Sequence, residues 1–320
     1  MHLPKILITG PIPAAGVERL RQHFAVTYDP ELTTRTWVLQ HLAAYEGLLL
    51  TGLQADRELI AAGANLKIIT TNGVGFDHVD VDYARNQGIV VTNCPQSVRQ
   101  PTAEMTLALL LATVRRLHFY DHNLRMGKWP DVDQQTNMGM SLAGKVLGIY
   151  GMGRIGTTVA QLAQAFGMRI CYHNRQRLAQ SQEQQLNVQY VDFDTLVQTA
   201  DVLTLHAPAT PATTGVFNAA VFAQMKRTAY LINVARGALV QQDDLITALQ
   251  TGAIAGAGLD VYATEPQVPA ALLQLDNVIL TPHAGTGTVE ARTAMALEAA
   301  RNLEDFFQKQ QAPNQVNPSA

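Results

Sequence analysis

The sequence predicts an α/β protein built from two domains of doubly wound parallel sheet, one of them carrying a dinucleotide-binding turn. Three observations carry that expectation. Short apolar runs ending in small or polar residues recur along the chain with helix-like stretches between them, the pattern of parallel sheets covered by helices on both faces. The 320 residues are long for a single core, so two domains are the natural division. One apolar run, Lys145–Tyr150, leads straight into Gly151-Met152-Gly153-Arg154-Ile155-Gly156, a GxGxxG between a strand and a helix-forming run, Thr157–Phe166.

The elements follow in order. Ile6–Thr9, Gly47–Thr51, Leu66–Thr71 and Ile89–Asn93 read as strands of a first series, with Gly16–His23, Thr34–Ala44 and Val81–Asn86 as helices between them. Thr102–Met126, dense in apolar residues (Met105, Leu107, Leu109, Leu110, Leu111, Val114, Leu117), reads as one long buried helix at the joint between domains. Arg125–Met140, with Trp129-Pro130 inside it, reads as a projecting arm. A second strand series comprises Val146–Tyr150, Arg169–His173, Val202–His206, Ala229–Val234, Gly256–Val261 and Val278–Thr281. The last helix, Val289–Gln308, has an apolar face that can return to the first domain and make it discontinuous. The polar, proline-containing tail Gln311–Ala320 reads as mobile.

Bulk properties narrow the function. The chain is 47% hydrophobic and 15% charged with a net charge of −3, and has neither a basic cluster nor an acidic tail, so nothing argues for nucleic-acid or membrane binding. No apolar run is long enough to span a bilayer, and the N-terminus enters a strand rather than a cleavable signal. Cys94 and Cys171, the two cysteines, each border an apolar strand and read as buried thiols in a reducing cytoplasm rather than as a disulfide.

In the glycine turn each glycine has a separate use. Gly151 allows the tight turn, Gly153 lets the backbone approach a pyrophosphate, and Gly156 lets helix and strand pack closely with the helix N-terminus toward the phosphates. Three further segments put reactive side chains just after a strand: Ile232–Gly237 with Arg236, Gly258–Pro266 with Glu265, and Val278–Gly285 with His283. Ligands of open α/β sheets collect outside the carboxyl ends of the strands, so Arg236, Glu265 and His283 can converge on one small anion. Taken singly, Arg236 suits a salt bridge, Glu265 a solvated loop, and His283 a cap or core position; their joint occurrence after a nucleotide loop points to catalysis.

Those residues lie in motifs that resemble the D-isomer-specific 2-hydroxyacid dehydrogenases over nearly the whole chain: Asn72–Asp80, Val91–Pro95, Thr102-Ala103-Glu104, Leu142–Lys145 running into the glycine turn, Asn233–Gly237, Gly256–Pro266 and Pro282–Gly285. The resemblance implies a flavodoxin-like substrate domain from residues 1–99 plus 288–320, a Rossmann nucleotide-binding domain from 100–287, an active-site cleft between them, and a homodimer. It makes His283 the general acid for the substrate carbonyl oxygen and Glu265 the carboxylate that supports its imidazolium. Arg236 becomes the anchor of the substrate carboxylate, aided by the backbone amides of Val74 and Gly75. The hydride passes directly from nicotinamide to carbonyl carbon, so no metal is expected.

The same resemblance puts the cofactor on Gly151, Gly153, Arg154, Ile155 and Gly156 of the turn and on Asn174 and Arg175 after the next strand. It adds Thr106, then His206, Ala207 and Pro208, then Val234, Ala235 and Arg236, and finally Asp260, His283 and Gly285. Asn174-Arg175 stands where many relatives have an aspartate, and no carboxylate lies between Cys171 and Ser181. An acidic residue there would bind the adenosine ribose and repel a 2′-phosphate, so NADP(H) is expected as the preferred cofactor, with NAD(H) possible. Arg177 is a further candidate for the phosphate. Ala263-Thr264 replaces a more acidic stretch of the family, and the chain lacks the regulatory extension of the long phosphoglycerate dehydrogenases. The carboxylate at Glu265 argues against the formate dehydrogenase branch, which has a glutamine there. The expected activity is reduction of a small 2-keto acid of the glyoxylate/hydroxypyruvate type to a D-2-hydroxy acid. The alternatives are an NAD-linked D-lactate-like or phosphoglycerate dehydrogenase and, in another class, a nucleotide-sensing corepressor-like binding protein.

Overall fold

The structure is a computed structural model and describes residues 3–31 and 33–318. The chain divides into two compact units, Met1–Val98 with Gly287–Ala320, and Arg99–Thr286.

In the first unit the strands among the described residues are β1 (Lys5–Ile8), β2 (Ala25–Tyr28), β3 (Gly47–Leu50), β4 (Ile68–Thr71) and β5 (Val90–Thr92). They form a wholly parallel sheet in the order β2-β1-β3-β4-β5, the flavodoxin-like arrangement. Ile6, Leu7, Ile8, Leu48, Leu49, Ile68 and Ile69 are wholly buried, as parallel strands covered on both faces require. The sequence reading missed β2, an edge strand that pairs only with β1 and is nowhere fully buried, so its apolar signal is weak. It also missed the six-residue helix Arg57–Ala62, whose start is marked by Asp56 accepting from the Leu59 amide at 3.0 Å. The last helix, Val289–Lys309, buries Ala296, Ala299, Ala300 and Leu303 among Ile6, Ile8, Leu20 and Ile68 of this unit, so the N-terminal strands are completed by a helix from the far end of the chain.

The tail departs from expectation. Up to Pro318 it is held against the outer edge of β5 and is not loose. The Val316 amide donates to the Val91 carbonyl (2.9 Å) and the Asn93 amide to the Asn314 carbonyl (3.2 Å). Asn317 is 1% exposed; its Oδ1 accepts from the Val91 amide (2.8 Å) and its Nδ2 donates to the Ile89 carbonyl (2.8 Å). Polar composition suggested mobility, but these side chains mimic a neighbouring strand and cover an edge that would otherwise offer unpaired groups. Ser319 and Ala320 lie outside the described residues.

In the second unit the strands among the described residues are β6 (Val146–Tyr150), β7 (Arg169–His173), β8 (Gln189–Tyr190), β9 (Val202–Leu205), β10 (Tyr230–Asn233), β11 (Gly256–Leu259) and β12 (Val278–Leu280). All pairings are parallel, in the order β12-β11-β10-β9-β6-β7-β8. This is the Rossmann order with one strand added, and the switch point falls between β6 and β9. Helix Arg99–Val114 packs on β10–β12, with Leu107, Leu110 and Val114 buried beside Leu147, Ile149 and Ile232.

The single helix expected over Thr102–Met126 is two, Arg99–Val114 and Leu117–Arg125. Arg116 breaks it in a left-handed conformation (φ 52°), with its guanidinium donating to the Thr136 carbonyl (2.6 Å) and lying 4.7 Å from the Phe119 ring centre. Leu117, counted among the buried residues, is exposed as a result, and the segment beyond it presents Leu124, Met126, Trp129 and Val132 to solvent. Cys94 is buried and Cys171 partly buried, and both are free thiols. No helix among the described residues is long and apolar enough to cross a membrane.

Candidate active site

The glycine turn joins β6 to helix Arg154–Ala165 at the switch point. Gly151 has φ +102°, and a Cβ there would come within 2.6 Å of the Ala207 amide nitrogen, so conformation and space both demand glycine. A Cβ on Gly156 would strike the Gly151 carbonyl oxygen, which fixes how closely helix and strand approach. A Cβ on Gly153 would meet nothing within 4 Å, so no packing inside the protein calls for glycine at this exposed position. A ligand approaching the turn from outside fits that pattern. The amides of Gly153, Arg154 and Ile155 meet no acceptor among the described residues, leaving a positive helix N-terminus suited to phosphate.

Asn174 is tied to this turn. Its Oδ1 accepts from the Met152 amide at 2.6 Å, a brace the sequence did not reveal. Arg175 beside it is exposed and makes no ion pair among the described residues. Arg177 grips Glu183 through Nε (2.8 Å) and Nη2 (2.7 Å). Across the switch point, His206 follows β9 and bonds through Nε2 to the Thr204 hydroxyl at 2.9 Å. Burial pushes its pKa down to about 3, so the ring is neutral. Ala207 is partly buried and Pro208 exposed.

Arg236, Glu265 and His283 follow β10, β11 and β12, three neighbouring strands of one parallel sheet, and so emerge on the same carboxyl edge. Asn233 shapes the first of these loops, accepting from the Ala235 amide (3.0 Å) and donating to the Arg236 carbonyl (3.0 Å). An asparagine closing an apolar strand is a local turn signal the sequence reading left unused. The Arg236 Nη1 donates to the Ala235 carbonyl at 2.7 Å, while Val234 is buried and Ala235 partly so.

His283 Nδ1 lies 2.7 Å from Glu265 Oε2, and Glu265 Oε1 accepts from the Tyr262 amide at 3.1 Å. The carboxylate thereby fixes the ring plane and leaves Nε2 on the other side. His283 adopts a left-handed backbone (φ 53°), a strain of order ~1–3 kcal/mol that surrounding bonds must hold. Asp260 supplies them. It is 1% exposed, its carbonyl accepts from the His283 amide (2.8 Å), and its carboxylate accepts from the Thr281 hydroxyl (2.6 Å) and the amides of Ala284 (2.7 Å) and Gly285 (2.8 Å). Tyr262 closes the same loop through its hydroxyl to the Thr281 carbonyl (2.9 Å); burial and then the Asp260 charge push its pKa up to about 12. Asp260 and Gly285, expected at the cofactor, are thus engaged with each other, and Thr106 is wholly buried with its hydroxyl on the Thr102 carbonyl (2.8 Å).

In the first unit Val74 and Gly75 follow β4. The loop is held by the Cys94 amide on the Gly73 carbonyl (2.8 Å) and Asn93 Nδ2 on the Val74 carbonyl (2.8 Å). The amides of Val74 and Gly75 meet no acceptor among the described residues.

Residues 107–285 match the model of the D-isomer-specific 2-hydroxyacid dehydrogenase NAD-binding domain. The chain is 39% identical to a glyoxylate reductase of Thermococcus litoralis, covering 98% of this chain and 97% of that protein. Among solved structures it is similar to a glyoxylate reductase from Paecilomyes thermophila (TM-score 0.90, 34% identity, 99% of each chain). It is also similar to an NADPH-dependent glyoxylate/hydroxypyruvate reductase from Sinorhizobium meliloti in complex with NADP and malonate (TM-score 0.85, 35% identity, 98% of this chain and 96% of that one). Two all-parallel sheets, a glycine turn at the switch point and an Arg, Glu and His on adjoining strand ends agree with these likenesses, and the chain belongs to the D-isomer-specific 2-hydroxyacid dehydrogenases, NAD(P)-dependent oxidoreductases that act on a CH–OH group.

Proposed function

We propose that the chain reduces a small 2-keto acid of the glyoxylate/hydroxypyruvate type to the D-2-hydroxy acid, with NADPH as the favoured donor. The observation that carries this reading is the 2.7 Å His283–Glu265 pair at the carboxyl edge of a Rossmann sheet, with Arg236 on a neighbouring loop. A bound nicotinamide supplies the hydride for the carbonyl carbon. The protein does the rest. The first unit serves as the substrate domain and the second as the nucleotide domain.

The Arg236 guanidinium holds the substrate carboxylate and polarises its carbonyl, since its fork engages two oxygens at once. The free amides of Val74 and Gly75 suit another carboxylate oxygen. With Nδ1 committed to Glu265, His283 delivers its Nε2 proton to the carbonyl oxygen, and the carboxylate holds the ring in place for that transfer. Asp260 acts one step back, keeping the His283 loop in its left-handed form.

Three points support NADPH. No carboxylate stands in the loop after β7, Arg175 is exposed there, and one similar structure is of an NADPH-dependent enzyme. The exposed apolar arm with Trp129 supports a homodimer, and two free thiols suit a reducing cytoplasm.

The test is a matrix of NADPH and NADH against glyoxylate, hydroxypyruvate, pyruvate and phenylpyruvate, with chiral analysis of the product. Glyoxylate and hydroxypyruvate with NADPH are expected to turn over fastest, hydroxypyruvate giving the D product. No turnover of any keto acid would overturn the activity, and equal or better efficiency with NADH would overturn the cofactor preference.

A further inference from the structure

We propose that Glu183 sets the nucleotide selectivity of the loop after β7 by holding Arg177 out of it, so that Arg175 alone reads the adenosine 2′ position. The inference rests on the reading of this loop as the ribose-binding edge of the cofactor site.

Two arginines two positions apart form an obvious phosphate clamp in sequence, and the structure separates them. Arg177 donates from Nε and Nη2 to the two oxygens of Glu183 at 2.8 and 2.7 Å, with its guanidinium carbon 5.4 Å from the Tyr190 ring centre. The Tyr172 hydroxyl donates to Glu183 Oε1 at 2.6 Å and accepts from the Leu178 amide at 3.0 Å, so the same carboxylate also fixes where the loop ends. Glu183 lies on the next helix, Gln180–Leu186, with its side chain 8% exposed. Drawing Arg177 toward a phosphate would leave this carboxylate with the Tyr172 hydroxyl but without its counter-charge, which disfavours the move.

The other end of the loop is pinned too. The Asn174 side chain holds the Met152 amide. Arg175, Gln176 and Arg177 are all exposed, but Arg177 is paired with Glu183 whereas Arg175 has no carboxylate partner among the described residues. Glu183 is therefore a positioning residue. It acts through Arg177, and so decides how many positive charges the 2′ position meets.

The experiment is calorimetric titration of the full chain with NADPH and with NADH, without keto acid, for wild type, Arg175→Gln, Arg177→Gln, Glu183→Gln and the Glu183→Gln/Arg177→Gln double variant. Arg175→Gln is expected to weaken NADPH by about tenfold or more while leaving NADH within about twofold, the loss of one charge-assisted contact. Arg177→Gln is expected to leave NADPH within about threefold. Glu183→Gln frees Arg177 and is expected to shift the NADPH:NADH affinity ratio toward NADPH by about threefold or more, a shift the double variant cancels. A purely structural Glu183 would weaken both nucleotides alike and leave the ratio unmoved, which overturns the proposal. A tenfold NADPH loss in Arg177→Gln, or none in Arg175→Gln, also overturns it, and these two exposed-site variants decide the matter if Glu183→Gln does not fold. Failure to turn over any keto acid, or tighter NADH binding by wild type, would count against the proposed function and leave the Arg175–Arg177 contrast for NADPH standing as measured.

Discussion

His283 and Glu265 meet at 2.7 Å although they stand on loops after two different strands, β12 and β11, with Asp260 holding the His283 loop through the Ala284 and Gly285 amides. The pair occupies Nδ1 and leaves Nε2 for the proposed proton transfer. His283→Ala is expected to lower turnover ~100- to ~10,000-fold with cofactor affinity near wild type. A variant within about threefold of wild-type kcat would remove His283 from the role of proton donor.

Glu265→Gln keeps the shape of the pair and removes its charge. Without the anion the hold on His283 Nδ1 is weaker and the ring is less well placed, so kcat for the keto acid is expected to fall ~10-fold or more with NADPH affinity near wild type. A kcat within about twofold of wild type would count against the pairing.

Arg236→Lys retains charge and loses the fork. The expected result is a higher KM for the keto acid together with a lower kcat, at least ~10-fold in kcat/KM or about 1.4 kcal/mol. If Arg236 only holds loops together, the variant melts at lower temperature while the folded fraction keeps wild-type kinetics; both are measured on one preparation.

Asn174→Asp combined with Arg175→Ala is expected to weaken or reverse the proposed preference for NADPH. Aspartate preserves the acceptor for the Met152 amide, so the glycine turn keeps its brace while the ribose edge gains a negative charge and loses a positive one. An unchanged NADPH:NADH ratio of kcat/KM would show that specificity lies elsewhere.

The Arg177 fork, then the Tyr172 hydroxyl, hold the Glu183 carboxyl below its ordinary 4.5, to about 2. The folded chain therefore takes up this proton later than the unfolded chain. The stabilisation is complete above the ordinary value and is lost as pH falls from there toward 2. Between about pH 6 and about pH 3 the Tm of Glu183→Gln should fall less steeply than that of wild type; equal slopes would mean the carboxylate is not held down.

Much of this was legible in the sequence. β6 and β7 are where apolar periodicity placed them, because buried parallel strands are continuous apolar runs, and the glycine turn announces itself by spacing. Arg236, Glu265 and His283 lie on the loops after β10, β11 and β12, and that placement was legible because each follows such a run. Long-range polar contacts were not legible. Nothing near Asn174 signals that it reaches back to Met152, and Glu183 lies six residues beyond the arginine it neutralises. Arg116 broke a helix that composition favoured, since a left-handed residue held by a distant carbonyl leaves no local mark. The tail misled for the same reason: asparagines signal solvent unless a bare strand edge is there to receive them.

That tail has a consequence for biosynthesis. The Val91 amide finds its partner in Asn317, 226 residues later in the chain. At ~5–20 residues per second a ribosome needs on the order of ten seconds or more to make that stretch. Throughout that interval Asn317 is not there to cover the edge of β5, and for most of it the helix Val289–Lys309 does not yet exist to cover Ile6 and Ile8. The second unit, continuous in sequence, is fully synthesised before the first can close. The nascent N-terminal strands thus stay incompletely covered until the last residues of the chain arrive, an exposure the second unit does not share.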